Sequence, residues 1–298
     1  MPETCDRSRG RDMRIVVTGA NGQVGSALCK LLEAEGSHEV TTLTREKGDI
    51  TDRVKVRRFI GSFQPDIVLH PAAYTFVDQC ESDPQTAYRI NALGTQNLAL
   101  ACANTGAALL YVSTNCVFDG RKATPYFEYD PVNPESIYGR SKLAGEEYVK
   151  TLLNRYYIVR TSWVFGPRQE GGKTNFVLRM LQLGDERGQL KVVDDEISNP
   201  TYAPDLAAAI LELAKTEAFG TYHLMNENPT SRYDFTAEIL RQAGREDKVK
   251  LERGKLADYP RPTPPLYQSA LHNFAASENL GIRLRPWQEA LSDYLKTI

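Results

Sequence analysis

Apolar and polar positions follow two alternating patterns through the first half of the chain. Short uncharged runs, such as Ile-Val-Val at 15–17, predict strands that are buried on both faces of a sheet. Apolar residues spaced three and four apart, as in Val24, Leu28 and Leu31, predict amphipathic helices between these strands. Strands are predicted at about 15–17, 39–44, 67–70 and 108–113, and helices from about 24, at 51–63, at 84–105 and from 138. This alternation predicts an α/β fold, a Rossmann-like doubly wound parallel sheet.

The alternation becomes less regular after Pro167. Helices are predicted at about 175–183, 205–215, 233–242 and 286–295, and a short strand at 221–224. The proline-rich run at 259–265 predicts an ordered loop, and the polar, glycine-rich run at 168–173 predicts a mobile loop over the site. We expect an NAD(P)-binding domain of residues 13–166 plus about 189–220, and a smaller C-terminal substrate-binding lobe of 167–188 and 221–298.

Composition excludes several classes of function. The chain has 298 residues, 41% of them hydrophobic, a net charge of −2 and no basic stripe, which argues against nucleic-acid binding. No apolar run approaches the roughly 18 residues of a membrane span.

Residues 1–12 are polar, which predicts a flexible N-terminal extension and not a secretory signal. The five cysteines lack metal-binding spacing, which predicts reduced thiols, no metal site and a cytoplasmic location.

A glycine-rich turn joins the first predicted strand to the first predicted helix. Gly19, Gly22 and Gly25 are spaced as G-x-x-G-x-x-G, which differs from the G-x-G-x-x-G of the best-known dinucleotide fingerprint. Glycines let a backbone approach a pyrophosphate, and the helix N-terminus offers N–H groups and a partial positive charge. The order of strand, glycine turn and helix therefore predicts a dinucleotide-binding corner.

Residues at the ends of the second and third predicted strands indicate which cofactor binds and where. An acidic residue at the end of the second strand would bind the ribose 2′-OH and favour NAD. This chain has Arg45 there, which favours the 2′-phosphate of NADP modestly, while a solvated loop charge is the alternative. Asp49 is placed to reach the adenine. Ala72 and Ala73 end the third strand, where small residues suit a flat ligand.

Hydroxyl groups and a lysine follow in an order typical of reductases. Ser113 and Thr114 end the fourth strand, and Tyr138 and Lys142 open a later helix on one face. A lysine ammonium near a phenol lowers the pKa of the tyrosine, which predicts that Tyr138 is a general acid/base. Tyr-x-x-x-Lys is also common by chance, with a surface pair as the alternative, but its position after a nucleotide corner favours catalysis.

Together these motifs resemble the extended short-chain dehydrogenase/reductases, and most closely the dTDP-4-dehydrorhamnose reductase branch. The resemblance extends over nearly all of residues 13–298. It rests on the motifs Gly19-Ala20-Asn21-Gly22-Gln23-Val24-Gly25, Ala72-Ala73-Tyr74-Thr75 with Val77-Asp78, Ser113-Thr114, Tyr138 to Lys142 with Leu143-Ala144-Gly145-Glu146, Arg160-Thr161-Ser162-Trp163-Val164, and Asn199-Pro200-Thr201.

The resemblance implies hydride transfer from NADPH, or secondarily NADH, to the 4-keto group of a nucleotide-linked 6-deoxysugar in dTDP-L-rhamnose biosynthesis. Tyr138 would protonate the developing alkoxide, Lys142 would hold the nicotinamide ribose, and Thr114 would hydrogen-bond the reacting oxygen. Combined with the strand ends, it predicts a cofactor site of Gly19, Asn21, Gly22, Gln23, Val24, Arg45, Asp49, Ile50, Ala72, Ala73, Tyr74, Asn91, Tyr138 and Lys142. The oligomeric state is left open, with a homodimer as one option.

Residues expected against the substrate are Thr114, Asn115, Trp163 and Arg261, of which Arg261 would reach a phosphate. A core position is the alternative for Trp163, and a solvated loop charge is the alternative for Arg261. Two departures from the family leave the sugar open. Rhamnose-forming members carry Ser-Thr-Asp-Tyr where this chain has Ser-Thr-Asn-Cys at 113–116, and a Gln-Phe-Gly-type stretch where it has Asp-Asp-Glu-Ile at 194–197.

Two other functions remain open from the sequence. A sugar-nucleotide epimerase uses the same scaffold, whereas a dehydratase is disfavoured because no Asp-Glu pair follows Thr114. The second alternative is a non-catalytic, NADP-binding regulatory subunit, like the β subunit of methionine adenosyltransferase, which resembles the same branch. Such a protein can retain Tyr-x-x-x-Lys, so Tyr138 and Lys142 do not separate it from an enzyme.

Overall fold

Six strands form the central sheet of the computed structural model, which describes residues 12–167 and 175–298. They are β1 (Arg14–Thr18), β2 (Glu39–Leu43), β3 (Ile67–His70), β4 (Ala108–Thr114), β5 (Tyr156–Thr161) and β10 (Gly220–His223). Their order across the sheet is β2, β1, β3, β4, β5, β10, and each neighbouring pair is parallel. The order reverses between β1 and β3, where open α/β sheets bind their ligands. The predicted doubly wound parallel sheet is confirmed.

Helices cover both faces of this sheet. They are α1 (Gln23–Glu35), α2 (Arg53–Phe63), α3 (Val77–Ser82), α4 (Pro84–Tyr88), α5 (Thr95–Thr105), α6 (Ile137–Leu152), α7 (Phe176–Arg187), α8 (Ala203–Ala214), α9 (Arg232–Gln242), α10 (Ala275–Leu280) and α11 (Trp287–Leu295). Successive strand residues point to opposite faces. Ile15 and Val17 therefore pack with α1, α8 and α10, while Val16 packs with α2, α5 and α6.

A second, smaller core lies beside the C-terminal edge of the sheet. Its aromatic centre comes from α7, α9 and α11 and includes Phe235, Trp287 and Tyr294. The remaining strands are β6 (Val164–Phe165), β7 (Gln189–Val193), β8 (Ile197–Ser198), β9 (Thr201–Tyr202), β11 (Thr230–Ser231) and β12 (Lys250–Gly254). Because β7 pairs in parallel with β12, we propose that the substrate-binding lobe also includes 189–193, which the sequence pattern had placed in the cofactor domain.

The predicted helix at 84–105 is not uniform. A π-helix, Arg89–Gly94, separates α4 from α5. Its wider turn leaves the carbonyl of Asn91 to accept hydrogen bonds from the Thr95 hydroxyl at 2.8 Å and from the Tyr111 hydroxyl at 3.2 Å. The hydrophobic pattern of the sequence does not distinguish a π-helix of this kind from an α-helix.

Two predicted segments, the N-terminal extension up to residue 11 and the loop at 168–173, lie outside the described residues. Among the helices of the described ranges, none is long and apolar enough to cross a membrane. None of the four cysteines in these ranges is part of a disulfide: Cys29, Cys80, Cys102 and Cys116.

Candidate active site

The glycine turn closes tightly on the end of β3. Gly19 has a φ of +58°, and a Cβ added to it would lie 2.8 Å from the Cα of Ala72. A Cβ on Gly25 would lie 2.1 Å from the carbonyl oxygen of Gly19. Gly22 caps the N-terminus of α1, whose first turn contains no acidic residue. The turn therefore requires glycine, and it leaves the positive end of α1 facing the carboxyl edge of the sheet, as a phosphate requires.

The other predicted cofactor residues at the end of β2 differ in exposure. Arg45 and Asp49 are exposed, and Asp49 accepts a hydrogen bond from the backbone N–H of Thr51 at 2.8 Å. Ile50 is buried, and its carbonyl accepts from the amide of Asn97 at 3.0 Å. Arg45 is thus available to a 2′-phosphate, but its contact with NADP stays a prediction.

A buried chain of hydrogen bonds, which sequence reasoning missed, joins β1 to β3 and the π-helix. The backbone N–H of Ala72 donates to the Thr18 hydroxyl at 3.3 Å, and this hydroxyl lies 2.7 Å from Nδ1 of His70. Nε2 of His70 lies 3.1 Å from the Thr95 hydroxyl, which itself donates to the Asn91 carbonyl. His70 must therefore donate from Nε2 and accept at Nδ1. Burial, with the nearby Lys142 ammonium, lowers the pKa of His70 to about 3, so it stays neutral.

Asn91 connects the end of β3 to the helix that carries Tyr138. Its side-chain oxygen accepts from the backbone N–H of Tyr74 at 2.7 Å, and its amide donates to the Tyr74 carbonyl at 3.1 Å. The same amide donates to the Ser141 hydroxyl at 3.0 Å, and Ser141 donates to the carbonyl of Tyr138. These contacts give Asn91 a positioning role. Its predicted contact with the cofactor stays a prediction.

Tyr138 and Thr114 meet at the end of β4. Tyr138 lies in the first turn of α6, which Ser136 caps, and only 9% of it is exposed. Burial raises the pKa of Tyr138 well above its usual value, the Cys116 side chain adds to this, and interaction with the Thr114 hydroxyl opposes it. The predicted lowering of this pKa by Lys142 is therefore not what the structure shows, because desolvation dominates. Tyr138 therefore stays a neutral phenol and carries the proton that a general acid would donate.

Lys142 lies one turn after Tyr138 on the buried face of α6. Its Nζ donates to the carbonyl of Val112 at 2.8 Å and lies 4.0 Å from the ring centroid of Tyr111. Burial lowers the pKa of Lys142 to about 7, and the Glu146 carboxylate opposes that shift. An ammonium has three donors, so two remain for another ligand such as a ribose diol.

Asn115 was predicted to contact the substrate, but in the structure it contacts other residues of the chain. It is buried, and its amide donates to the hydroxyls of Ser198 at 3.0 Å and Ser269 at 2.8 Å. Its oxygen accepts from the Thr114 hydroxyl at 3.2 Å. The amide therefore joins the end of β4 to the lobe and holds Thr114. Cys116 lies in the apolar cluster that includes Cys80 and Tyr138, and burial raises the pKa of its thiol.

Trp163 faces a charged group of the lobe. It has a φ of 38°, a left-handed conformation that costs about 1–3 kcal/mol in a non-glycine residue. The guanidinium of Arg232 lies 3.5 Å from its ring centroid and 4.7 Å from that of Phe176. Glu196 lies 3.4 Å from Nε of Arg232 and 4.0 Å from Nη2 of Arg261.

The local structure explains why these charges meet. β8 and β11 pair in antiparallel fashion with Ile197 opposite Ser231, which makes Glu196 and Arg232 neighbours. The proline-rich loop that carries Arg261 is anchored to α3 by a hydrogen bond from Thr263 to Asp78. Arg232 and Glu196 were missed as site residues because a single arginine at a helix start is an ordinary surface feature. The departure at 194–197 was the one signal that pointed there.

Comparison with known proteins agrees with this geometry. A family model described as RmlD substrate binding domain matches residues 13–298. The chain belongs to this family. The spore coat polysaccharide biosynthesis protein SpsK of Bacillus subtilis (strain 168) is 41% identical over 95% of this chain and 97% of its own length. The dTDP-4-dehydrorhamnose reductase of Aggregatibacter actinomycetemcomitans is 39% identical over 94% of this chain and 97% of its own length.

A solved family member has the same architecture. The dTDP-4-dehydrorhamnose reductase of Bacillus anthracis str. Ames, solved in complex with NADP, matches with a TM-score of 0.91 and 36% identity over 97% of this chain and all of that one (100%). The predicted membership of the dTDP-4-dehydrorhamnose reductase branch of the short-chain dehydrogenase/reductases is confirmed.

Proposed function

We propose that the protein is an NADPH-dependent reductase of the 4-keto group of a dTDP-linked 6-deoxysugar, a dTDP-4-dehydrorhamnose reductase of dTDP-L-rhamnose biosynthesis. The observation that carries the proposal is the pairing of the buried Tyr138 and Thr114 side chains at the end of β4. This end of β4 lies at the carboxyl edge of the sheet, where the glycine turn also lies. The relatives named as dTDP-4-dehydrorhamnose reductases support the substrate.

The residues at the sheet edge fit a nicotinamide dinucleotide. The Gly19 turn leaves no room for a side chain beside Ala72, which suits close approach of a pyrophosphate. Lys142 retains two donors for the nicotinamide ribose, and exposed Arg45 favours a 2′-phosphate. Bound NADPH would supply a hydride ion to the substrate. Asn21, Gln23 and Val24 would hold the pyrophosphate with α1.

Side chains of the protein would supply the proton that the reduced oxygen takes up. The Thr114 hydroxyl donates its hydrogen to the Asn115 side-chain oxygen, and it would turn this hydrogen to the substrate oxygen when the substrate binds. As negative charge develops on that oxygen, Tyr138 would donate its phenolic proton to it. Lys142 lies one helical turn further on the same face, where its remaining donors would bind the nicotinamide ribose. The buried setting excludes water from this transfer.

The lobe would bind the nucleotide part of the substrate. Arg232 and Arg261 provide two guanidinium groups, which lie 3.4 and 4.0 Å from the carboxylate of Glu196, and guanidinium groups bind phosphate in bidentate geometry. The half-buried Trp163 ring lies against Arg232 and offers a flat surface to a base. A diphosphate joined to a nucleoside fits this arrangement better than an uncharged sugar does.

Turnover with a substrate panel tests the function. Purified protein is incubated with NADPH and dTDP-linked 4-keto-6-deoxysugars while the loss of reduced cofactor is followed. We expect oxidation with dTDP-4-dehydrorhamnose and none with Tyr138→Phe. Tight NADPH binding without oxidation across the panel would favour a regulatory subunit. Interconversion of epimers without net oxidation would favour an epimerase.

A further inference from the structure

Glu196 lies between the two arginines of the proposed phosphate site. Its carboxylate oxygens lie 3.4 Å from Nε of Arg232 and 4.0 Å from Nη2 of Arg261. Its side chain is only 12% exposed. A carboxylate and a phosphate present similar pairs of oxygens to a guanidinium. Glu196 therefore occupies the position from which a phosphate group would contact both arginines.

These contacts are longer than those of two other carboxylates that are mostly buried, Glu146 and Asp205. Glu146 binds Arg160 through contacts of 3.0 and 2.7 Å, and Asp205 binds Arg285 through contacts of 2.9 and 3.1 Å. Charge-assisted hydrogen bonds between these group types normally measure about 2.7–2.9 Å. The carboxylate of Glu196 thus makes longer contacts than the carboxylates of Glu146 and Asp205, as an exchangeable ligand would.

The surroundings explain why a carboxylate is needed at all. The guanidinium of Arg232 lies against the rings of Trp163 and Phe176, which remove water from it. Burial lowers the pKa of Arg232, and Glu196 opposes this shift. An uncompensated buried charge is strongly destabilising. Glu196 therefore neutralises Arg232 until another anion takes its place.

We propose that Glu196 is an exchangeable counter-ion, which the diphosphate of the substrate displaces from Arg232 and Arg261 and which thereby sets the affinity of this site. The inference rests on the proposed function in that a nucleotide-linked substrate supplies the diphosphate. With Glu196 the three side chains carry a net charge of +1, and without it they carry +2. The carboxylate therefore weakens the binding of a phosphate while it preserves the folded site.

The test is the affinity of Glu196→Gln for phosphate compounds. Titration calorimetry at low salt measures the Kd of inorganic pyrophosphate, dTDP and thymidine for both proteins. We expect pyrophosphate and dTDP to bind the variant about three- to tenfold more tightly, since one partly screened negative charge is removed. Thymidine, which lacks phosphate, should bind both proteins equally. The difference should shrink at high salt.

A charge-matched control uses the same lobe. Glu238→Gln removes one negative charge from α9, where Glu238 pairs with Arg241 and not with the site. It should leave the three Kd values unchanged. Glu196→Ala serves as a second variant and should show the same direction as Glu196→Gln. Unchanged or weaker pyrophosphate binding in the folded variants, checked by their thermal unfolding, would overturn the proposal.

The two proposals can fail separately. If pyrophosphate binds Glu196→Gln more tightly but no 4-keto sugar is reduced, the counter-ion proposal holds and the proposed function falls. If the wild-type chain reduces dTDP-4-dehydrorhamnose but pyrophosphate affinity does not respond to Glu196, the function holds and the counter-ion proposal falls.

Discussion

The amide of Asn115 donates to the hydroxyl of Ser269 across 2.8 Å, joining the end of β4 to a segment 154 positions further along the chain. Ser269 and Ser198 use their own hydroxyl hydrogens on the carbonyls of Ile197 and Ser269. Their oxygens are therefore left as acceptors, which an amide satisfies and a carboxylate does not. The asparagine found in place of the family's aspartate is thus matched by two serines, and it preserves the position of Thr114.

Asn115→Asp should accordingly destabilise the fold. A carboxylate would keep the Thr114 donor on one oxygen. Its other oxygen would meet the carbonyl of Ser269, which now accepts from the amide at 3.2 Å, and would replace a buried donor with an acceptor. We expect a loss of about 1–3 kcal/mol in the free energy of unfolding, measured by urea denaturation. The exposed Asn104→Asp is the control and should change it by less than about 0.5 kcal/mol. Equal stability of both variants would refute the pairing argument.

Gly19→Ala should damage the cofactor corner. The new methyl group would lie 2.8 Å from the Ala72 backbone at a φ of +58°. We expect a loss of about 1–3 kcal/mol in unfolding free energy and weaker NADPH binding, measured by fluorescence titration. Gly61→Ala in α2 meets nothing within 4 Å and should stabilise by up to about 1 kcal/mol with unchanged NADPH affinity.

Lys142 should make the free energy of unfolding depend on pH. Its folded pKa of about 7 lies below its ordinary value of 10.5, so the unfolded chain binds this proton more tightly. The contribution of Lys142 to stability is therefore unfavourable at pH 7 and improves as the pH rises toward 10.5. We expect the unfolding free energy of the wild type, relative to Lys142→Met, to rise by a few kcal/mol between pH 7 and 9.5. A difference that is independent of pH would contradict a buried, desolvated lysine.

Arg232→Gln should act on substrate binding more than on the chemical step. Removing a guanidinium that binds a phosphate costs about 1.5–3 kcal/mol, or about a ten- to hundredfold rise in the KM of the nucleotide sugar. The value of kcat and the affinity for NADPH should change little. Arg241→Gln, at the exposed end of the same helix, is the control. A fall in kcat at constant KM would place Arg232 elsewhere in the mechanism.

Local patterns in the sequence predicted the central sheet, the glycine turn and the Tyr138 helix, because each depends on residues close together along the chain. The long-range contacts were not predictable in this way. Asn115 was assigned to the substrate because its pairing with Ser269 depends on how the lobe packs against β4. Arg232 and Glu196 become neighbours only through the antiparallel pairing of β8 with β11. The pKa of Tyr138 depends on burial, which a four-residue spacing does not report.

The central claim is that Tyr138 donates the proton to the reduced oxygen. The most direct measurement compares kcat and the Kd of NADPH for the wild type and Tyr138→Phe, with dTDP-4-dehydrorhamnose as substrate. We predict a fall in kcat of about 10²–10⁴-fold with an NADPH Kd within about twofold, because the phenyl ring keeps the packing and lacks only the hydroxyl group that carries the proton. A variant that keeps more than about half of the wild-type kcat would contradict the claim.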